Sequence, residues 1–398
     1  VERRTVLISG ASIAGPALAF WLARYGFQPV IVERADALRL GGQNIDIQGA
    51  AREVARRMGI EGDIRAATTG EQGLRFVDGH DVTKAEFPAG RSDTGGFTKE
   101  IEILRGDLAK ILYDRTRDTT EYIFGNQIIG LRNHNDRVTV AFEHGAERDV
   151  DLVVAADGIR SRTRTLIVGD EPRIRSLGLY ACYFTIPRGA SDNAWARWYH
   201  APGERSMLLR PDNEGTTRVS LWFLSRSRGY EQLSAAEQKA LVARIFADAG
   251  WEAPRVLAGL ADTDDVYFDA ISQVIAPRWS HGRAALVGDA GYCPSAVSGM
   301  GASLALVGAY VLAGELSRHV NHRDAFTAYE KLLRPYVDLA QKLPPGVPWI
   351  AHPKSRLGVS LLRLVLRLAS APLLRRVEGL SGFSKADKIV LPDYASGG

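Results

Sequence analysis

The chain has 398 residues, enough for two domains or for one domain carrying a large insertion, and for a core that needs no disulfide or metal staples. Its net charge of +4 arises from 50 basic and 46 acidic residues with interspersed signs, so nucleic acid is not an expected partner. Two distant cysteines, Cys182 and Cys293, form no motif and fit a reducing cytoplasm; no signal peptide is seen, and no apolar run of about 18 residues suggests a transmembrane segment.

Val6, Leu7 and Ile8 form a short apolar run that ends at Gly10, followed by Ser12, Ala14 and Gly15, a helical segment closed by Gly26, and a second apolar run ending at Glu33. This predicts strand, glycine turn, helix and strand, with an acid 18 residues past Gly15. Free N–H groups at the helix start suit a pyrophosphate, Pro16 fits the first turn, and Glu33 would accept hydrogen bonds from an adenosine ribose. Ser12 replaces the middle glycine of the usual GxGxxG, so the phosphate must tolerate a small side chain.

Arg34, Arg39 and a Gly41-Gly42 loop come next, then an alternating stretch at 43–48 that contains Asp46 and a helix from Gly49 to Met58. Residues 73–89 read as a hairpin turning at Asp78-Gly79. Arg105 stands just before a helix at Asp107 to Thr116, where a guanidinium can reach a phosphate; on local grounds a surface arginine that caps nothing fits equally well. Strands follow from Tyr122 to Ala156, the last buried on both faces and ending in Asp157-Gly158.

From about 172 to 277 the pattern becomes long alternating strands, interrupted by a helix at Ser234 to Ala249 with a Ser234/Glu237 capping box. Five of the seven tryptophans fall there when Trp279 at the edge is counted, enough for a sheet core or an apolar pocket. A buried strand at Ala284 to Asp289 leads to the glycine-rich stretch 298–303, a helix at Leu304 to Leu316 and another at 323–342. After the break at Leu343 to Pro348, residues 357–377 form a leucine-rich amphipathic pattern with Arg363, Arg367, Arg375 and Arg376. We read it as a helix docked across domains; the same pattern also suits a membrane surface. His319 and His322 have no supporting ligands, and no metal site is expected.

GASIAG with Glu33, DGIRSRTR at 157–164, and GDAGYCP with SGMGAS at 288–303 together resemble the class A FAD-dependent aromatic hydroxylases, over residues 1 to about 340. GGQNIDIQG at 41–49 and LRGDL at 104–108 are similar to the tetracycline-inactivating and antibiotic-tailoring branch. The expected fold class is α/β: a Rossmann-like FAD-binding domain (1–171 and 278–342), an inserted antiparallel β-sheet substrate domain (172–277), and C-terminal helices (343–398). The resemblance implies one FAD, NADPH or NADH and O2 as co-substrates, and oxygen transfer through a C4a-hydroperoxyflavin to an aromatic or polyketide-like molecule, in a monomer or homodimer. It places Gly10, Ser12, Ala14 and Gly15 along the dinucleotide, Glu33 at the ribose, Arg34 by the adenosine, and Arg105 and Asp289 at the pyrophosphate and ribityl. Gly299, Gly301 and Ala302 would lie along the flavin ring with Asp46 near its mobile range, Asp157 at FAD and NADPH, and Arg39 at NADPH. Tyr183, Arg197 and Leu208 match substrate positions, to which strand parity adds Arg218 and Trp222. No protein side chain is expected to act as the catalyst.

Tyr292, Ser303 and Gly308 depart from the family's usual histidine, asparagine and aspartate. A flavin halogenase is disfavoured because YACYFTIP replaces that family's WxWxIP. A nicotinamide dehydrogenase leaves the later glycine motifs without a purpose. Baeyer-Villiger or N-hydroxylating chemistry, and a flavin-binding sensor without turnover, stay open at this point.

Overall fold

In the computed structural model, which describes residues 3–89, 101–226, 228–344, 346–370 and 389–394, the apolar runs assemble into a six-stranded sheet. Its order is Ser280–His281, Ala284–Leu286, Leu152–Ala155, Thr5–Ser9, Gln28–Glu33 and Glu121–Phe124. All pairs are parallel except the Ser280–His281 edge. Val6, Leu7, Ile8, Leu152, Val153 and Val154 are covered on both faces, as central parallel strands must be. Each such aliphatic side chain contributes about 1.5–3 kcal/mol by leaving water. The helices Ala14–Arg24 and Gly301–Arg318 pack together over this sheet and share its core.

The second sheet has seven strands in the order Tyr267–Ile275, Arg173–Pro187, Thr216–Leu224, Arg205–Pro211, Trp195–Ala201, Gly73–Val77 and Thr83–Pro88. One face, with Tyr180, Cys182, Phe184, Tyr199, Met207, Leu209, Leu221 and Phe223, is covered by the helices Ala235–Phe246 and Ala253–Asp262. The first of these has the Ser234/Glu237 capping box. The other face carries Tyr183, Trp198, His200, Leu208, Ser220 and Trp222, because side chains alternate along each strand and the register aligns them.

Three expectations need correction. The 73–88 hairpin belongs to the second sheet, since Gly73–Val77 pairs in parallel with Trp195–Tyr199, so that domain is not confined to 172–277. Trp279 belongs to the first core, against Tyr292 and Tyr329. The C-terminal helix runs from Arg356 to Ala369, and the expected stretch 371–377 lies outside the described residues.

Candidate active site

The first glycine turn is built by close backbone approach. A methyl on Gly15 would fall 1.9 Å from the Gly10 carbonyl oxygen, and one on Gly10, whose φ is +109°, would fall 2.6 Å from that of Ala156. The turn therefore lies directly against the Asp157-Gly158 segment. The helix that follows has no side-chain cap and no acid in its first turn, leaving its N–H groups to an anion. Ala14 is buried at this helix start, and a Cβ on Gly288 would come within 3.0 Å of its methyl, so the third motif meets the first.

Glu33 accepts hydrogen bonds from the backbone N–H of Ala11 (2.9 Å) and of Ala35 (3.0 Å). Its carboxylate is thereby fixed at the strand end, with lone pairs remaining for a ribose. Arg34 follows it and is exposed, as is Arg39, whose charge is felt at Arg105. Arg105 donates from Nη1 to Ser12 Oγ (3.0 Å) and from Nη2 to the Gly41 carbonyl. The hydroxyl at the irregular glycine position thus orients the arginine. Burial, with the Arg39 charge nearby, lowers the Arg105 pKa, and no ion pair to it occurs among the described residues. A desolvated guanidinium with Asp265 and Glu33 nearby but no ion pair to either is chemically matched to a pyrophosphate.

Asp289 opens a short turn of helix, where burial raises its pKa. Its Oδ1 lies 3.8 Å from where a Cβ on Gly301 would stand. The Gly301–Arg318 helix, with Ala302 in its first turn, again lacks a side-chain cap and an acid there. Gly299, at φ +65°, faces Asp46 and Gln48 across the loop. Ser303 accepts from the Gln48 backbone N–H (3.1 Å), so it ties the 44–48 segment to that helix. Asp157 instead serves its own loop: it accepts from Ser161 Oγ, from Thr163 Oγ1 (2.9 Å) and from Thr163 N (3.3 Å). These bonds tie Asp157 to the start of the helix Arg162–Val168.

Two departures from the family pattern explain each other. The Tyr292 hydroxyl occupies the space a side chain at Gly308 would need, 2.0 Å from its Cβ position, and donates to Tyr329 Oη (2.9 Å), which donates to the Leu286 carbonyl (3.0 Å). Tyr292 is therefore core packing.

Tyr183 and Trp222 share an apolar cluster with Val297 of the 296–298 turn, which sets this face of the second sheet against the glycine-rich loop. Leu208 is nearby on the same face. Trp198 stacks on Phe76 (5.4 Å) and His200 (5.1 Å) and meets Trp222 edge-on (5.5 Å). His352, just past the short helix Val347–Ala351, lies near Trp222, 6.1 Å between centroids. Its Nδ1 lies 2.9 Å from the Pro348 carbonyl and so carries the proton, leaving Nε2 to accept from Ser206 Oγ (3.1 Å). Burial lowers the His352 pKa to about 4, and burial with the neighbouring His352 and Arg363 lowers that of His200 to about 3. Both imidazoles are uncharged at neutral pH.

Arg197 is not on this face. Its neighbour Trp198 pairs with Leu208, which turns Arg197 to the opposite face, where it is buried with Asp192, Asp81 and Glu252. Arg218 has the expected parity, but its guanidinium is held by Asp212, Thr185 and Glu214. The sequence reading missed Phe76, Trp198, His200, Ser206 and His352. For His200 the signal was present, since it alternates by two with Trp198.

Arg210, also on this face, is buried between Glu71 and Glu102. Burial and the Glu102 charge outweigh Arg210 and raise the Glu71 pKa from 4.5 to about 7. A raised carboxyl pKa gives stability that is full below the unfolded value and is lost as pH rises through the folded one. Thermal unfolding should therefore show a Tm decline between about pH 4.5 and 7 that is reduced in Glu71→Gln; an unchanged decline contradicts the assignment. Replacing Glu33 by alanine should weaken FAD binding by about 2 kcal/mol, roughly 30-fold, measured by flavin fluorescence titration.

A glycine-lined cleft at the carboxyl ends of a parallel sheet is thus roofed by an antiparallel sheet with an aromatic face, an architecture shared with flavin-dependent monooxygenases. The chain belongs to the FAD binding domain family, whose model matches residues 3–342. It is 40% identical over 354 residues to a flavin-dependent monooxygenase of Legionella longbeachae, covering 87% of this chain and 88% of that one. It is 36% identical over 421 residues to the flavin-dependent monooxygenase eupH of Phoma sp, covering 98% and 97%. Among solved structures it is similar to tetracycline destructase Tet(51), with TM-score 0.83, 33% identity, and 99% and 100% of the two chains covered.

Proposed function

We propose that the enzyme uses NADPH or NADH and O2 to hydroxylate an aromatic or polyketide-like, polycyclic phenolic compound held between the flavin and the Tyr183–Trp222 face. The observation that carries this reading is the aromatic cluster on this face, in which the half-buried Trp198 and Trp222 meet edge-on above buried Phe76, His200 and His352, whose two imidazoles are uncharged. Such a cluster gives an apolar boundary that suits a fused-ring compound and excludes water. Tetracycline, which the similar destructase is named for, is a fused polycyclic phenol.

Bound FAD would supply an electrophilic oxygen atom derived from O2 after reduction by the nicotinamide. The protein's part is placement. Glu33 would hold the ribose, Arg105 would neutralise the pyrophosphate, and Asp289 would lie toward the ribityl chain. The uncapped start of the Gly301–Arg318 helix favours negative charge on the reduced ring. The test is substrate-stimulated NADPH oxidation across a panel of polycyclic phenols, with product analysis. Stimulation with a hydroxylated product is expected; bound FAD with no stimulation by any compound would instead favour a sensor.

A further inference from the structure

The C-terminal helix Arg356–Ala369 docks by one face only. Val359 is buried, and Leu366 packs with Leu74, Phe76, Ala196 and Leu208. On the opposite side Leu357, Leu361, Leu364, Val365 and Leu368 are 83, 62, 51, 53 and 54% exposed, and Trp349 and Ile350 just before are 59 and 65% exposed. At 100° per residue the five helical positions fall in one continuous stripe. Seven of the seventeen large hydrophobics exposed among the described residues are thus gathered within this short segment. A monomer gains nothing in stability from such a patch.

Within the segment itself the charge is of one sign. From Leu339 to Val377 the sequence contains no aspartate or glutamate but has Lys342, Lys354, Arg356, Arg363, Arg367, Arg375 and Arg376. Arg363 turns inward to the His200 carbonyl (3.4 Å), whereas Lys354, Arg356 and Arg367 make no ion pair among the described residues. Arg356 and Arg367 border the apolar stripe along one side of the helix. A second copy of this surface would bring like charges together. An apolar stripe bordered by arginines and an exposed tryptophan complements an anionic lipid surface.

We propose that the 349–368 surface binds the face of an anionic bilayer, with the leucine stripe entering the headgroup boundary and Arg356 and Arg367 at the phosphates. The inference does not depend on the identity of the substrate. The test is co-sedimentation of the full-length, FAD-loaded protein with vesicles of roughly equimolar phosphatidylglycerol and phosphatidylcholine, against phosphatidylcholine alone. Binding to the anionic vesicles is expected, reduced by about 0.5 M KCl. Leu361→Glu/Val365→Glu should weaken it by roughly tenfold or more, with flavin content and Tm retained. Arg356→Glu/Arg367→Glu provides an independent pair should the first fail to fold. Absence of wild-type binding to anionic vesicles, or undiminished binding by both pairs, overturns the proposal. So does a wild-type dimer that Leu361→Glu/Val365→Glu converts to monomer, which would make the stripe an interface between copies.

Discussion

Replacing Arg105 by methionine should weaken FAD binding by roughly 100-fold or more, about 3 kcal/mol, while leaving the flavin-free protein no less stable. The asymmetry follows from the charge environment. Without FAD the guanidinium is desolvated and near Arg39, a cost that the charges of Asp265 and Glu33 only partly offset, and among the described residues it donates its hydrogen bonds to Ser12 and Gly41. Methionine removes that cost in the empty protein and removes the pyrophosphate partner in the loaded one. Flavin titration with thermal melts of both forms measures this. A flavin affinity equal to wild type would place the pyrophosphate elsewhere.

Trp222→Ala should have the opposite profile, retaining FAD and damaging the response to substrate. The indole touches Trp198, His352 and the Val297 turn and lies on the face opposite the helix-packed core. Its loss should weaken substrate binding by roughly 10- to 100-fold, about 1.4–2.8 kcal/mol, and divert NADPH oxidation toward hydrogen peroxide. Peroxide yield per NADPH and flavin content are the two readouts. Unchanged coupling would remove Trp222 from the substrate face.

The dinucleotide turn was legible because its physics is local: Gly10, Gly15 and Glu33 lie within one strand–turn–helix–strand unit, and the structure shows the close approaches that make those glycines necessary. The capping box at Ser234 is local for the same reason. The substrate face was only half legible. Parity ordered residues within a strand, but the choice between Arg197 and Trp198 depended on register with Leu208, a partner beyond a turn. His352 reaches Ser206 across 146 positions, and Gly73–Val77 pairs with a strand more than a hundred residues later; neither leaves a periodic signal. Tyr292 and Gly308 looked like independent departures until their shared volume was visible.

The most direct measurement is the mass of the product formed under ¹⁸O₂ from a polycyclic phenol that stimulates NADPH oxidation. Incorporation of one oxygen atom from the labelled gas is the predicted result. A product whose added oxygen comes from water, or NADPH consumed with no oxygenated product from any such phenol, would contradict the account.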